Sequence, residues 1–178
     1  MRSHRGKNAA GEHFRCGGGG HIIDDPGSGY ALGRDALAAA LQTEDGRLSE
    51  NALHGAVMDT VGGSGIQGIF DFVYFSRRGK GDIAALAPLV LRCAAQGDAV
   101  SLDILRRGAA ELARLVSAVM GKLGLENGSP CALAGGLLAE DNVYRRAVCA
   151  ALAPFCRPAA PEHDALFGAV QLALAAIQ

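Results

Sequence analysis

The stretch that decides this fold is residues 17–30, which read Gly17-Gly18-Gly19-Gly20-His21-Ile22-Ile23-Asp24-Asp25-Pro26-Gly27-Ser28-Gly29-Tyr30. Glycine tolerates positive φ and lets a ligand approach the main chain closely. A helix pattern follows at once, and the first turn of a helix offers unpaired N–H groups. The adjacent carboxylates can accept hydrogen bonds from hydroxyl groups or bind a cation. The combination favours a site for a polar ligand, with a flexible linker and a simple turn as the alternative.

Length and composition limit what the chain can be. Its 178 residues, of which 49% are hydrophobic, are enough for one domain with a substantial core. Only 5% of the residues are aromatic and alanine and glycine are abundant, so we expect helices packed closely through small side chains. The formal net charge of −1 gives no basis for a nucleic acid or an anionic membrane as a partner.

The cysteines are odd in number and widely spaced: Cys16, Cys93, Cys131, Cys149 and Cys156. Without a CxxC pair they predict buried free thiols in a reducing compartment, not a zinc site or a disulfide framework. The first thirteen residues are basic and polar, which is not typical of a signal peptide. Because no apolar run reaches the roughly 18 residues of a membrane span, the expected location is the cytoplasm.

The hydrophobic periodicity predicts a helix-rich chain. We expect a hairpin over residues 4–16, a short strand over 131–134, and helices over 29–43, 49–61, 66–75, 82–96, 98–123, 142–155 and 163–177, with a strand as the alternative for 66–75. Ser28, Ser49, Asp82 and Asp98 are the expected helix starts. Pro88 should bend its helix and free the Ala84 carbonyl. An α/β domain needs a sheet on which its helices pack, and the predicted strands are too few to form one. This indicates that the first part of the sheet is missing.

A second glycine motif lies near the C-terminal end of the chain. It reads Leu133-Ala134-Gly135-Gly136-Leu137-Leu138 and precedes a helix that starts near Asn142. A strand that ends in Gly-Gly before a helix leaves bare backbone on which a flat ligand can lie, a geometry that nucleotide-binding loops use. A purely structural turn is the alternative.

Taken in order, these motifs resemble one family. Residues 20–30 resemble the GHxxGDEGSxY segment of N-acetylglucosamine kinases and of the related BadF/BadG/BcrA/BcrD-type ATPases, in the sugar kinase/Hsp70/actin superfamily. Asp82-Ile83-Ala84-Ala85-Leu86-Ala87-Pro88, the long helix, Ala134-Gly135-Gly136 and Phe167-Gly168-Ala169 follow in the family's order. The resemblance spans nearly the whole chain.

The resemblance implies an α/β fold: the C-terminal lobe of a ribonuclease-H-like (actin-like ATPase) fold, helix-rich with a short, incomplete sheet. Residues 1–7 would be a disordered start and residues 8–178 the lobe. The family's N-terminal lobe carries a DGGGT phosphate loop and is followed by a GTGS loop. This sequence contains neither motif, so we expect the N-terminal phosphate-loop lobe to be absent.

The resemblance also implies an ATP-dependent kinase of amino sugars that uses Mg²⁺. Carried over by position, the sugar-binding residues are Gly20, His21 and Asp25, and the nucleotide-binding residues are Ala84, Gly135 and Gly136. The family's catalytic Asp lies in the absent part, so we assign no catalytic residue and no metal ligand. Whether the chain is an enzyme stays open.

Three residues of the first loop depart from the family pattern. Gly19 replaces an aromatic residue, Asp24 replaces a glycine and Pro26 replaces a glutamate. These changes put an extra carboxylate and a rigid proline inside the sugar-side loop.

We therefore expect a partial and inactive form of an amino-sugar kinase. The alternative is a non-catalytic sugar-binding or interaction module. An ATPase activator with an iron–sulfur cluster, also found in this superfamily, is disfavoured by the cysteine spacing. An incomplete sheet leaves an exposed edge, so the chain is expected to pair with another chain, for example as a homodimer.

Overall fold

The computed structural model describes residues 4–75 and 77–161 and the isolated positions 163, 167, 170, 173 and 174. Helices dominate this part of the chain, as the sequence predicts. In chain order the elements are β1 (His4–Lys7), β2 (His13–Cys16), α1 (Gly29–Glu44), α2 (Ala52–Val61), α3 (Gly65–Phe70), a π-helical turn (Asp71–Phe75), α4 (Lys80–Ala84), α5 (Ala87–Ala95), α6 (Ala99–Leu123), β3 (Ser129–Ala132), α7 (Val143–Leu152) and β4 (Cys156–Ala159). The last predicted helix lies largely outside the described residues.

The hairpin predicted over residues 4–16 is confirmed. Strands β1 and β2 pair antiparallel, with His4 opposite Cys16 and Lys7 opposite His13. The predicted disordered start is therefore wrong for residues 4–7, because their backbone is paired in this ladder. A Cβ atom at Gly6 would lie 2.6 Å from Val119, so glycine lets β1 lie directly on α6.

The second sheet consists of β3 and β4, which pair in parallel with Ser129 opposite Cys156. The strand predicted over residues 131–134 exists but begins and ends two residues earlier. The sequence did not predict β4, since Cys-Arg-Pro-Ala contains a proline and no β-branched residue. In the described part of the chain the two sheets have two strands each and are separate. The expectation of a short, incomplete sheet is confirmed.

Helix α6 is the centre of the core and contacts α1, α5, α7 and the hairpin. Its buried side includes Ile104, Leu105, Leu112 and Val116, whereas Leu102 is 40% exposed. Small residues bring the helices together: a Cβ atom at Gly33 of α1 would overlap the Ile83 carbonyl of α4. The close packing of helices through small side chains, which the composition predicts, is therefore confirmed.

Side-chain caps fix the start of four described helices, which are α1, α2, α6 and α7. Ser28 Oγ accepts a hydrogen bond from the Ala31 N–H at 3.1 Å, and Asp98 Oδ2 accepts one from the Ser101 N–H at 2.8 Å, as predicted. Helix α2 is capped by Asn51 and not by Ser49. Both residue types are strong N-caps, so the sequence alone did not choose between them.

The helix predicted over residues 82–96 is divided into α4 and α5. Pro88 is the second residue of α5, where its missing N–H is not needed, so the chain breaks before the proline instead of bending at it. Asp82 is not the N-cap of α4 but lies in its first turn. There its Oδ2 accepts a hydrogen bond from the Gly79 N–H at 2.8 Å.

Among the described helices, none is by itself long and apolar enough to span a membrane. The segments Lys80–Ala95 and Ala99–Leu123 meet the length and composition criteria only when taken together, and the chain bends by 117° between them.

All five cysteines are free thiols. Cys93 and Cys156 are buried, whereas the other three are only partly buried. Burial, with a smaller contribution from nearby Cys156, raises the pKa of Cys131 on β3 to about 11.

This raised pKa predicts that the stability of the folded protein depends on pH. Burial favours the neutral thiol of Cys131, so this group stabilises the folded protein fully at a pH below the ordinary thiol pKa of 9.0. That stabilisation is lost as the pH rises to about 11. We expect slow alkylation of Cys131 by iodoacetamide at pH 8, measured by peptide mass spectrometry, and fast alkylation in urea at the same pH. Equal rates with and without urea would contradict the burial argument.

Candidate functional site

The glycine-rich loop has a defined backbone path. The Gly20 carbonyl accepts hydrogen bonds from the Asp24 N–H at 2.8 Å and from the Ile23 N–H at 3.2 Å, which closes a turn over residues 20–24. Gly20 has φ of +106°, a conformation that L-residues with a side chain rarely adopt. The Arg15 guanidinium donates to the Gly18 carbonyl at 3.1 Å and ties the start of the loop to β2.

The far end of this loop is held between α6 and α7 by one buried contact. The Tyr144 hydroxyl donates a hydrogen bond to the Gly27 carbonyl at 2.7 Å, and the Tyr144 side chain is completely buried. Gly27 has φ of +67°, and a Cβ atom there would lie 2.6 Å from Leu112 and 2.8 Å from the Gly108 carbonyl. Only glycine therefore fits at position 27.

The first turn of α1 places the loop against α4. Ser28 caps α1, and a Cβ atom at the next residue, Gly29, would lie 3.6 Å from the Ala84 carbonyl oxygen. Ala84 was predicted from the sequence to be on the nucleotide side of the site. It therefore lies beside the residue that follows the sugar-side loop.

His21 and Asp25 lie on the accessible part of the loop. The His21 ring meets the Tyr30 ring edge to face, with 4.8 Å between the ring centroids. The Asp25 carbonyl accepts a hydrogen bond from the Ser28 N–H at 3.4 Å, which connects it to the cap of α1. Between them, Ile22 and Ile23 are 83% and 86% exposed. Polar and apolar groups thus share one surface, which suits a ligand that has both hydroxyl groups and an apolar ring face.

The second glycine motif forms an open turn after β3. Gly135 has φ of +103°, and its carbonyl accepts a hydrogen bond from the Leu138 N–H at 2.8 Å. Gly136 is exposed, and a Cβ atom there would meet nothing within 4 Å. The Asn142 side chain donates to the Leu137 carbonyl at 3.0 Å. This turn therefore has a fixed backbone and one face of bare peptide groups.

Helix α7 connects the two loops. Asn142, its N-cap, holds the Gly135 turn, Arg145 donates to the Leu138 carbonyl, and Tyr144 binds the first loop at Gly27. Neither Tyr144 nor Arg145 was predicted from the sequence to belong to this site. A signal for Tyr144 exists in the four-residue spacing of Tyr144, Val148 and Leu152, which are the buried residues of α7.

The described residues do not form a complete magnesium site. Asp24 and Asp25 are adjacent carboxylates, but within residues 4–75 and 77–161 no group of three or more His, Cys, Asp or Glu side chains is arranged to hold a metal ion. The Mg²⁺ implied by the resemblance therefore has no complete set of ligands among these residues.

Two of the three residues that depart from the family pattern, Gly19 and Asp24, lie side by side. A Cβ atom at Gly19 would lie 3.1 Å from Asp24 Cβ, which is tighter than ordinary packing. Asp24 therefore occupies the space beside residue 19 because that residue has no side chain. A large side chain at position 19 would therefore meet Asp24.

Removing the Tyr144 hydroxyl should test how firmly the first loop is held. Tyr144→Phe leaves the buried Gly27 carbonyl without its donor, and we expect a loss of about 1–3 kcal/mol in the free energy of unfolding. Urea denaturation followed by circular dichroism measures this. Tyr74→Phe is the matched control, because Tyr74 is 72% exposed and should change stability by less than about 0.5 kcal/mol. Equal effects of the two substitutions would contradict the role of Tyr144.

The pairing of Gly19 with Asp24 can be tested by a double-mutant cycle. Gly19→Trp should destabilise the protein, and the same substitution should cost less in an Asp24→Gly background. We expect an interaction free energy of at least about 0.5 kcal/mol from urea denaturation of the four proteins. Additive effects would show that the two departures are independent.

The sequence is similar to one protein family and to two kinases. Residues 6–173 match the model of the BadF/BadG/BcrA/BcrD ATPase family. The chain is 38% identical over 122 residues to the N-acetylmuramic acid/N-acetylglucosamine kinase of Clostridium acetobutylicum, covering 68% of this chain and 40% of that protein. It is 30% identical over 146 residues to the N-acetyl-D-glucosamine kinase of Dictyostelium discoideum, covering 80% and 44%.

The fold is also similar to a solved structure described as a candidate N-acetylglucosamine kinase from Chromobacterium violaceum. The TM-score is 0.74 with 32% sequence identity, over 93% of this chain and 53% of that one. This match confirms the predicted actin-like ATPase fold. The chain spans about half or less of the length of each of these proteins. With a family model that matches nearly all of its residues, this chain belongs to the BadF/BadG/BcrA/BcrD ATPase family.

Proposed function

We propose that this chain is part of an ATP-dependent amino-sugar kinase, which transfers the terminal phosphoryl group of ATP to a hydroxyl group of N-acetylglucosamine or a similar sugar. Family membership and the names of two relatives, both kinases of N-acetylglucosamine, support this proposal. The five free thiols fit a reducing compartment, so we place the protein in the cytoplasm.

The observation that carries the sugar assignment is the fixed loop around Asp25. Its backbone is held at both ends, by the turn at Gly20 and by the Tyr144–Gly27 hydrogen bond. In the proposed complex the Asp25 carboxylate accepts hydrogen bonds from sugar hydroxyl groups, and Gly20 and His21 line the same loop. Such charge-assisted bonds are strong, and a preorganised loop loses less entropy when a ligand binds.

The proposed nucleotide side combines Ala84 with the Gly135–Gly136 turn. The exposed backbone of this turn suits the flat face of an adenine base or a ribose, since no Cβ atom projects from Gly136. Ala84 lies next to Gly29, where the sugar-side loop ends. ATP when bound supplies the phosphoryl group, and the chain's own residues bind and orient the two substrates.

We further propose that the 178-residue chain is inactive by itself. Phosphoryl transfer needs the phosphates to be positioned and their charge neutralised. The described residues provide no group of three metal ligands, and the chain spans only 40–53% of the length of the proteins that it resembles. Half of a substrate site can bind a sugar weakly without catalysing transfer.

We expect the purified chain to bind N-acetylglucosamine in isothermal titration calorimetry and to show no turnover in a coupled ADP-release assay. Asp25→Asn should weaken sugar binding at least about tenfold, because hydrogen bonds to a charged acceptor contribute about 1.5–3 kcal/mol. Asp59→Asn is the matched control, since Asp59 is exposed on α2.

The outcomes separate the alternatives. Clear turnover by the 178-residue chain would contradict the inactive form. Sugar binding that is unaffected by Asp25→Asn would contradict the assignment of the site. Sugar binding that is lost with Asp25→Asn, without any binding of a non-hydrolysable ATP analogue, would favour the non-catalytic sugar-binding module.

A further inference from the structure

His54 of α2 lies between two carboxylates at the corner where α1 leads into α2. Its Nε2 atom lies 2.7 Å from Glu44 Oε1, at the end of α1, and its Nδ1 atom lies 3.1 Å from Glu50 Oε2, just before α2. The His54 and Glu44 side chains are only 12% and 22% exposed, whereas Glu50 is 86% exposed. One imidazole ring is thus shared by two acidic partners, and its contact with Glu44 is largely shielded from water.

These two contacts fix the number of protons on the His54 ring. A neutral imidazole has one N–H group and one bare nitrogen, and an ionised carboxylate can only accept hydrogen bonds. With a neutral ring, one of the two contacts would therefore bring two lone pairs together. A glutamate side chain ordinarily loses its proton about two pH units below a histidine, so a shared proton goes to the ring. Both contacts are satisfied together when both ring nitrogens carry a hydrogen and the ring is positively charged.

The positions of Glu44 and His54 on their helices make each charge depend on the other. Glu44 is the last residue of α1, where the helix dipole disfavours a negative charge. His54 lies in the first turn of α2, where the dipole disfavours a positive charge. Each of these charges is therefore stabilised by its partner and not by its own helix. Loss of a proton from His54 leaves the Glu44 carboxylate beside the carbonyl end of α1 without a compensating charge.

The same corner also includes the start of α3. A Cβ atom at Gly65, the first residue of α3, would lie 3.3 Å from Glu44 Oε2, so this carboxylate reaches both α2 and α3. Next to it, Asn51 accepts a hydrogen bond from the His54 N–H at 2.9 Å and donates one to Thr43 Oγ1 at 3.1 Å. Polar contacts around one ring thus connect the ends of three helices.

The neighbouring titratable groups do not substitute for the two glutamates. Asp45 and Arg47 pair with each other at 2.6 Å, and Asp98, at the start of α6, accepts a hydrogen bond from a backbone N–H of α2 at 3.2 Å. In the described part of the chain, the ion pairs of His54 are limited to the two glutamates. Helix α3 has no titratable side chain. The other titratable side chains of residues 45–61, of α5 and of the start of α6 are Asp45, Arg47, Asp59, Arg92, Cys93 and Asp98.

We propose that Glu44, His54 and Glu50 form a proton-dependent clamp, which holds the corner between α1, α2 and α3 while the His54 ring carries two protons and loosens it when one proton leaves. The contacts that this proton makes exist only in the folded protein. The stability that the clamp provides is therefore present while the ring is charged and the carboxylates are ionised, and it falls as the pH rises and the ring loses its charge.

Long-range ¹H–¹⁵N correlation spectra of the histidine rings test the number of protons directly. At about pH 7.5 we expect both ring nitrogens of His54 to carry hydrogens in the folded protein. In the urea-unfolded chain at the same pH the ring should be mainly neutral, because a free histidine is about 90% neutral there. His54→Gln assigns the signals by their loss. A neutral His54 ring with a single N–H in the folded protein overturns the proposal.

Hydrogen exchange tests whether the proton holds the corner. When the pH is raised from about 6.5 to about 8.5, we expect amide exchange over residues 45–54, relative to the intrinsic rate, to accelerate at least about tenfold, since a hydrogen bond to a charged group is lost. The urea midpoint should fall over the same range. Both changes should be absent in His54→Gln and in Glu44→Gln. His13→Gln is the matched control and should behave like the unaltered chain, because His13 is exposed on β2.

Each result either supports or overturns the clamp. If circular dichroism shows that His54→Gln or Glu44→Gln does not fold, the ring spectra of the unaltered chain decide. The same pH dependence in the unaltered chain and in a folded His54→Gln variant overturns the proposal. So does exchange over residues 45–54 that follows the intrinsic rate throughout. Sugar binding and its dependence on Asp25 are measured separately, so failure of one proposal leaves the other standing.

Discussion

The hydrogen bond from the Tyr144 hydroxyl to the Gly27 carbonyl is the contact on which the rest of the site depends. It is 2.7 Å long, completely buried, and joins residues 117 positions apart in the chain. A buried phenol needs an acceptor, and a buried carbonyl needs a donor, so each group satisfies the other at a place that water does not reach. Because Gly27 and Gly108 have no side chains, the loop, α6 and α7 can approach closely enough for this bond to form.

This constraint explains how two glycine motifs that are far apart in sequence are held by the same helix. Helix α7 holds the Gly135 turn through Asn142 and Arg145 and holds the sugar-side loop through Tyr144. The same loop leads into Gly29, which contacts Ala84. The proposed sugar and nucleotide residues are thus placed by one helical framework, in which small residues allow close packing. A displacement of α7 would be transmitted to both loops.

Local chemistry made part of this structure predictable. Ser28 and Asp98 were recognised as helix caps, the hairpin over residues 4–16 as a pair of strands, and the two loops by their glycines. The wrong predictions are of two kinds. Some required a choice between two similar local signals, and others depended on contacts between residues that are distant in the sequence. Asn51 and Ser49 are both good caps, and Pro88 is compatible with a bent helix or with a new one. Strand β4 has no strand-forming sequence and exists because β3 offers it a partner.

The far end of the loop is fixed by helices. Tyr144, Gly108 and Ser28, which fix the loop, belong to helices or to a helix cap, whereas a groove between β1 and β3 is bounded by strands. Helix α6 supports both, since it contacts the hairpin and also packs against α1 and α7. Helix α7 also reaches both regions, because Val148 and Leu152 line the groove and Tyr144 binds the loop at Gly27. A structural change at the groove can therefore reach the loop through either α6 or α7.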